Sequence, residues 1–141
     1  MTDYQINFIR LVSAQIPFNC SFEVRDFIAC QIALESAFGE SAISHRLNNF
    51  TGMRCVVTRL NNQCKQDNCA DLNTSNFGYY ASLYDCLIDY GYWLAYNKAG
   101  KRVLFDLVLF KAFLIKHKYC PEPDYIIRIT NLLNSYKNGK S

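Results

Sequence analysis

Two large polar side chains, Gln31 and Glu35, interrupt an otherwise apolar or small-residue run from Phe27 to Gly39. Spaced four apart, they project one above the other on a single face of a helix. The continuity of the apolar residues around them describes a helix buried on most of its circumference, not a one-sided surface helix. A carboxylate taken out of water either finds a compensating partner or keeps its proton to higher pH. In the second case Glu35 can hand a proton to a leaving oxygen, which is the chemistry of a general acid. In the first it is a helix carboxylate paired with a cation or a helix end. Residue type and spacing allow both, and a cleft floored by this helix is the arrangement that gives an acid something to act on.

The other segments read as the elements that hold this helix in place. Ile6, Ile9, Leu11, Val12 and Ile16 recur at roughly helical spacing from about Asp3 to Gln15, and Pro17 favours a break near Ile16. Ser21 is placed to cap the central helix, Glu23 suits the positive end of its dipole, and Gly39 marks its stop. Ser41 to Leu47 is a short helical segment closed by the Asn48-Asn49 turn. Ser82-Leu83-Tyr84-Asp85 reads as a capping box with Asp in place of Glu. It opens a helix through Cys86, Leu87, Tyr90, Trp93 and Leu94 that ends at Asn97 and Gly100.

Val103 to His117, the most apolar stretch, predicts a fifth and mostly buried helix. Pro121-Glu122-Pro123-Asp124 breaks the chain before a last helix whose inward face is Tyr125, Ile126, Ile129, Leu132, Leu133 and Tyr136, with a frayed tail from Lys137. Between the third and fourth helices, from about 53 to 76, the β-prone run Cys55-Val56-Val57-Thr58 gives way to residues rich in Asn, Gln and Asp. We expect a small irregular β-lobe there. A connection of that length without structure of its own is uncommon and often functional, and this one is placed to form the second wall of a cleft.

The 141 residues read as a single domain, 1–141, long enough to bury a real core. Half are apolar, which excludes a disordered chain. The net charge of +3 is mild and the Lys and Arg residues are scattered, so no nucleic-acid partner is expected. No stretch approaches the roughly 18 consecutive apolar residues of a membrane span, and the N-terminus lacks the basic and apolar regions of a secretory signal. Reduced thiols are therefore the default for the seven cysteines. Cys30 and Cys86 sit in apolar helical runs as small hydrophobes, whereas Cys55, Cys64 and Cys69 cluster in the polar stretch. With no C-x-x-C pair, and with His45 and His117 distant, no metal or other cofactor is expected. Both histidines read as surface residues.

Four blocks, taken in order, resemble a known family. Gln31-Ile32-Ala33-Leu34-Glu35-Ser36-Ala37-Phe38-Gly39-Glu40-Ser41 and Asn48-Asn49-Phe50-Thr51-Gly52-Met53-Arg54 are similar to the Q-A-x-L-E-S-G-W-G-x-S and N-N-L-F-G-I-K signature of bacterial and phage peptidoglycan N-acetylglucosaminidases, glycoside hydrolase family 73. Phe77-Gly78-Tyr79-Tyr80-Ala81-Ser82, followed by Asp89-Tyr90, resembles F-R-x-Y-x-S with its D-Y or D-H pair. Lys118-Tyr119-Cys120-Pro121-Glu122-Pro123-Asp124-Tyr125 resembles G-Y-A-T-D-P-x-Y with a small offset at the proline. The blocks cover about 24 to 133.

The resemblance implies an α+β, mostly helical, lysozyme-like fold with a buried central helix and a small β-lobe forming the cleft. It also implies hydrolysis of the β-1,4 bond between N-acetylglucosamine and N-acetylmuramic acid. By it, Glu35 is the general acid and Tyr119 the cleft tyrosine, with peptidoglycan glycan strands as the partner of a monomeric, non-inserting protein. With no secretory signal in view and a compact chain without a wall-binding repeat, we expect such an enzyme to be made in the cytoplasm and to act on the cell wall, as a phage lytic protein or one exported by another route.

Several positions depart from the pattern. Ala37-Phe38 stands for Gly-Trp, Thr51 for Phe, and Thr58-Arg59-Leu60 carries no carboxylate where many members have a second Glu. Glycoside cleavage needs a group to support the oxocarbenium-like centre or activate water. Asp67, Asp71, Tyr119 and the substrate's own acetamido group are the candidates. Gln31, Asn49, Phe50, Gly52 and Tyr80 are expected to line or organise the sugar site, Asn49 and the 50–52 backbone either by bonding sugar or by shaping the turn, and Tyr80 more by packing. A muramidase or lytic transglycosylase of the same fold, or a catalytically silent glycan-binding or structural module, are the alternative readings.

Overall fold

The computed structural model describes residues 1–54 and 77–139, whose fold is mostly helical. Its helices are α1 (Asp3–Gln15), α2 (Phe22–Glu35), α3 (Ala42–Leu47), α4 (Leu83–Tyr96), α5 (Lys101–Leu104), α6 (Leu107–Lys116) and α7 (Tyr125–Gly139). Helix α2 is the central rod and packs against α1, α6 and α7. Val24 and every residue from Phe27 to Ala33 are buried in it, Gln31 included. Fully burying each large aliphatic or aromatic side chain contributes about 1.5–3 kcal/mol, so this helix anchors the core. Leu87, Tyr90 and Leu94 of α4 join the same cluster.

Local chemistry sets the start of α2. Ser21 Oγ accepts the Val24 N–H at 3.1 Å, a cap worth about 1 kcal/mol. Arg25 donates to the carbonyls of Ser13 and Ile16 at 2.9 and 3.2 Å, and Ser13 Oγ donates to Asp26 at 3.0 Å. The free carbonyls at the end of α1 thus find their donors on α2.

The helix stops at Glu35, before the Gly39 that the sequence marks as its end. Ser36 Oγ donates to the Ile32 carbonyl at 2.7 Å and accepts the Gly39 N–H at 2.9 Å, drawing the chain out of the helical path. Ala37 and Phe38 then adopt positive φ, 50° and 55°, a conformation that costs roughly 1–2 kcal/mol for each non-glycine residue. Phe38 offsets this by packing edge-on against Phe8 and by accepting the Tyr4 hydroxyl at 2.8 Å on its carbonyl. Glu35 is consequently the last residue of the rod.

The single fifth helix expected over Val103–His117 is two helices. Asp106 accepts the Leu109 N–H at 3.1 Å and so caps α6, which ends α5 at Leu104. The stretch is also less buried than its hydropathy suggests, with Val108 76% and Ile115 63% exposed. Helix α7 runs to Gly139, so the tail expected to fray from Lys137 is still helical there. Its buried face is Tyr125, Ile129, Leu133 and Tyr136, while Ile126 and Leu132 are only partly covered.

Asn48 closes α3 in the left-handed conformation. Beyond it, Arg54 and Phe77 form an antiparallel bridge, Gly78 N–H donates to Met53 O and Tyr80 N–H to Leu47 O, both at 2.9 Å. Of the β-lobe expected over about 53–76, residues 55–76 lie outside the described residues.

Candidate active site

Glu35 is partly buried at the end of α2. With Leu34, Cys120, Glu122, Tyr125 and Arg128 it lines a cavity of about 140 Å³. Gly52 lies against it: a Cβ at that residue would sit 3.6 Å from Glu35 Oε2. Gly52 also lines a cavity of about 440 Å³ with Thr51, Arg54, Trp93, His117 and Tyr119. The carboxylate therefore sits beside the wall of a space large enough to admit a ligand. Burial, the largest influence, raises its pKa above the ordinary carboxyl value; the nearby Tyr125 hydroxyl and the Arg128 charge oppose this, and the Glu122 charge adds to it.

Behind Glu35 runs a chain of buried polar groups. The Tyr90 hydroxyl donates to Gln31 Oε1 at 2.6 Å, and Gln31 Nε2 donates to the Tyr125 hydroxyl at 2.9 Å. Tyr125 in turn lines the same small cavity as the Glu35 carboxyl, and the two side chains influence each other's pKa. Burial raises the pKa of Tyr90, Tyr119 and Tyr125, so all three keep their phenolic protons and remain donors. Gln31 has no exposed surface, and both ends of its amide are occupied by tyrosines.

Asn49 is equally buried and organises the turn in front of Glu35. Its Oδ1 accepts the N–H groups of Gly52 and Thr51 at 2.8 and 3.3 Å, and its Nδ2 donates to the carbonyls of Met53 and Gly78, both at 2.9 Å. Phe50 N–H donates to Cys86 Sγ at 3.4 Å. The N–H groups of 50–52 are therefore used within the protein. Gly52 keeps its open face because it has no side chain, and its φ of +75° suits glycine.

Tyr80 is fully buried and its hydroxyl donates to the buried carboxylate of Asp89, which pins the returning chain to α4. Tyr119 donates to Thr51 O at 3.2 Å and stacks on Tyr125 with ring centroids 6.1 Å apart. Its ring also meets Trp93 edge-on at 5.0 Å. Tyr119 thus holds the wall of the larger cavity, while the tyrosine that shares the small cavity with Glu35 is Tyr125. Asp67 and Asp71 lie outside the described residues, as do Cys55, Cys64 and Cys69.

The sequence places Tyr125 in the core at the start of the last helix. It is both core and a neighbour of Glu35 in the small cavity, and its place in the last of the four motif blocks carries that signal. Tyr90 carried a similar signal beside Asp89. Nothing in the spacing pointed to Arg128, Glu122 or Trp93. His117, taken as a surface residue, is partly buried, lies 4.3 Å from the Phe113 ring and lines the larger cavity.

Among the described residues no group of three or more His, Cys, Asp or Glu side chains is arranged to hold a metal ion. No helix among them is long and apolar enough to cross a membrane. Residues 23–138 match the family model of the glucosaminidases, described as mannosyl-glycoprotein endo-beta-N-acetylglucosaminidase. Neither a curated protein nor a solved structure matches the chain significantly.

Proposed function

The chain belongs to the glucosaminidase family of glycoside hydrolases, and from that premise we propose that it hydrolyses the β-1,4 bond between N-acetylglucosamine and N-acetylmuramic acid in peptidoglycan, on the N-acetylglucosaminyl side. Glu35 is the general acid. One observation carries this reading: the carboxyl closes a buried helix, has its pKa raised chiefly by burial, and faces Gly52 at the edge of a cavity.

The protonated carboxyl gives its proton to the glycosidic oxygen as the bond to C1 of N-acetylglucosamine breaks, so the leaving sugar departs as a neutral alcohol. Water adds to C1 and its proton restores Glu35. The positive charge at C1 needs a partner, for which the substrate's acetamido oxygen, Asp67 and Asp71 have the right chemistry. This reading implies a lysozyme-like fold in which α2 floors the glycan-binding cleft. Gly52 leaves room for the glycan beside the acid. Asn49, Phe50 and Tyr80 act by shaping that turn, Tyr119 by holding the cavity wall, and Gln31 through Tyr125. A single-domain monomer working on the cell wall fits this assignment.

The test is mass spectrometry of digested peptidoglycan, for which we expect fragments with N-acetylglucosamine at the reducing end. Reducing muramic ends would move the protein to the muramidases, and anhydromuramic ends to the lytic transglycosylases. Glu35→Gln should fold and lose wall lysis. Unchanged lysis in that variant removes Glu35 from the mechanism.

A further inference from the structure

We propose that Gln31 is a positioning residue for Glu35: its amide, held from behind by Tyr90, makes Tyr125 a one-way hydrogen-bond donor to the carboxylate that forms when Glu35 releases its proton. The inference rests on the reading of Glu35 as the general acid.

The direction of the chain follows from what each group can do. An amide has an acceptor end and a donor end. Tyr90 donates to the Gln31 oxygen at 2.6 Å, which leaves the Gln31 nitrogen facing Tyr125 at 2.9 Å. With an N–H already directed at its oxygen, Tyr125 turns its own hydrogen to the remaining neighbour, Glu35. Were the amide turned over, its oxygen would take the Tyr125 hydrogen and Glu35 would lose its donor. Turned over, the amide would also take away the acceptor of the fully buried Tyr90 hydroxyl, whose bond is to the Gln31 oxygen, and an unsatisfied buried donor is costly; Tyr90 itself is fixed in the core, stacked on Phe18 with 8° between the rings. Successive donors also polarise one another, so Tyr125 is a stronger donor with Gln31 behind it than alone.

The chain acts when charge develops. Before the reaction Glu35 is a neutral acid, and in the transition state it becomes a carboxylate in poorly solvated surroundings. A donor already aimed at it stabilises that charge without reorganisation. The other titratable groups facing Glu35 are Arg128 of α7, Glu122 just ahead of α7, Tyr119 between α6 and α7, and Tyr90 of α4. Arg128 and Glu122 form an ion pair at 2.8 Å with both side chains about half exposed, so solvent screens them. The tyrosines are neutral. Tyr125 is the buried group that lines the small cavity beside the carboxyl, and Gln31 acts through it.

The test is a carbon-13 NMR titration of the side-chain carboxyls in the full chain, with the Glu35 signal identified by its loss in Glu35→Gln. We expect the Glu35 midpoint to rise in Tyr125→Phe and to rise by less in Gln31→Met. The double variant should go no higher than Tyr125→Phe alone, because Gln31 acts through Tyr125. In wall lysis, Gln31→Met should lose kcat about tenfold, the equivalent of about 1.4 kcal/mol in the barrier, with KM unchanged. A wild-type midpoint in Gln31→Met, or shifts that simply add in the double variant, overturns the proposal.

If Gln31→Met does not fold, Tyr90→Phe removes one oxygen at the far end and carries the same test: a raised midpoint supports the chain and an unchanged one overturns it. The two readings fail separately. Lysis retained in Glu35→Gln with the shifts present ends the acid assignment and leaves the chain, whereas lysis lost with no shifts ends the chain and leaves the acid.

Discussion

Gly52 stands against Glu35 so closely that a Cβ on it would lie 3.6 Å from Glu35 Oε2, and it does so on a backbone of φ +75°. The distance is ordinary van der Waals contact, so a methyl group there would fit without a clash. It would nevertheless occupy the face of the carboxyl that opens toward the larger cavity, in a conformation L-residues disfavour by roughly 1–2 kcal/mol. Gly52→Ala should therefore lower stability by about that amount and lower kcat/KM by about tenfold or more, because the proton-transfer geometry tolerates little displacement. Thermal unfolding and lysis of purified walls measure the two effects. Full activity in a destabilised variant would detach Gly52 from the site.

The stability of the fold should depend on pH through Glu35. Burial raises its pKa in the native state above the value in the unfolded chain, so the native state binds this proton more tightly. The contribution is fully present below the unfolded pKa and is lost as pH rises through the folded one. Glu35→Gln removes that dependence. At pH 7 the variant should unfold at the same temperature as the wild type or a higher one, and the difference should shrink as the pH is lowered to 4. A variant that loses stability relative to the wild type as pH rises would contradict the burial argument.

Four hydrogen bonds between the Asn49 side chain and the backbone shape the turn in front of the acid, two accepted and two donated. Asn49→Ala leaves those backbone groups without their partner and should cost about 2–4 kcal/mol. Because two of the bonds fix the N–H groups of Thr51 and Gly52, lysis should fall below what the folded fraction accounts for. Chemical denaturation gives the stability, and activity measured well below the transition gives the second quantity. Activity proportional to the folded fraction would mean that the turn need not be held in this form.

The sequence by itself determined what is decided within a turn or two of chain. Ser21 caps α2, Ser41 caps α3 and Ser82 caps α4 because each side chain reaches a backbone N–H three residues on. The apolar run of α2 had to be buried, and helical spacing put Gln31 and Glu35 on one face. The break between α5 and α6 was hidden because Val103 to His117 is apolar throughout, and whether Asp106 caps a helix or lies within one depends on packing. Only the tertiary structure decided the partners of the central pair. Tyr90 lies 59 residues from Gln31 and Tyr125 lies 94 residues from it. Periodicity carries no information about which distant hydroxyl meets a buried amide. That is set by where α4 and α7 come to rest on α2, and packing there joins Gln31 to two tyrosines in a hydrogen-bonded chain, the second of which lines the small cavity beside Glu35.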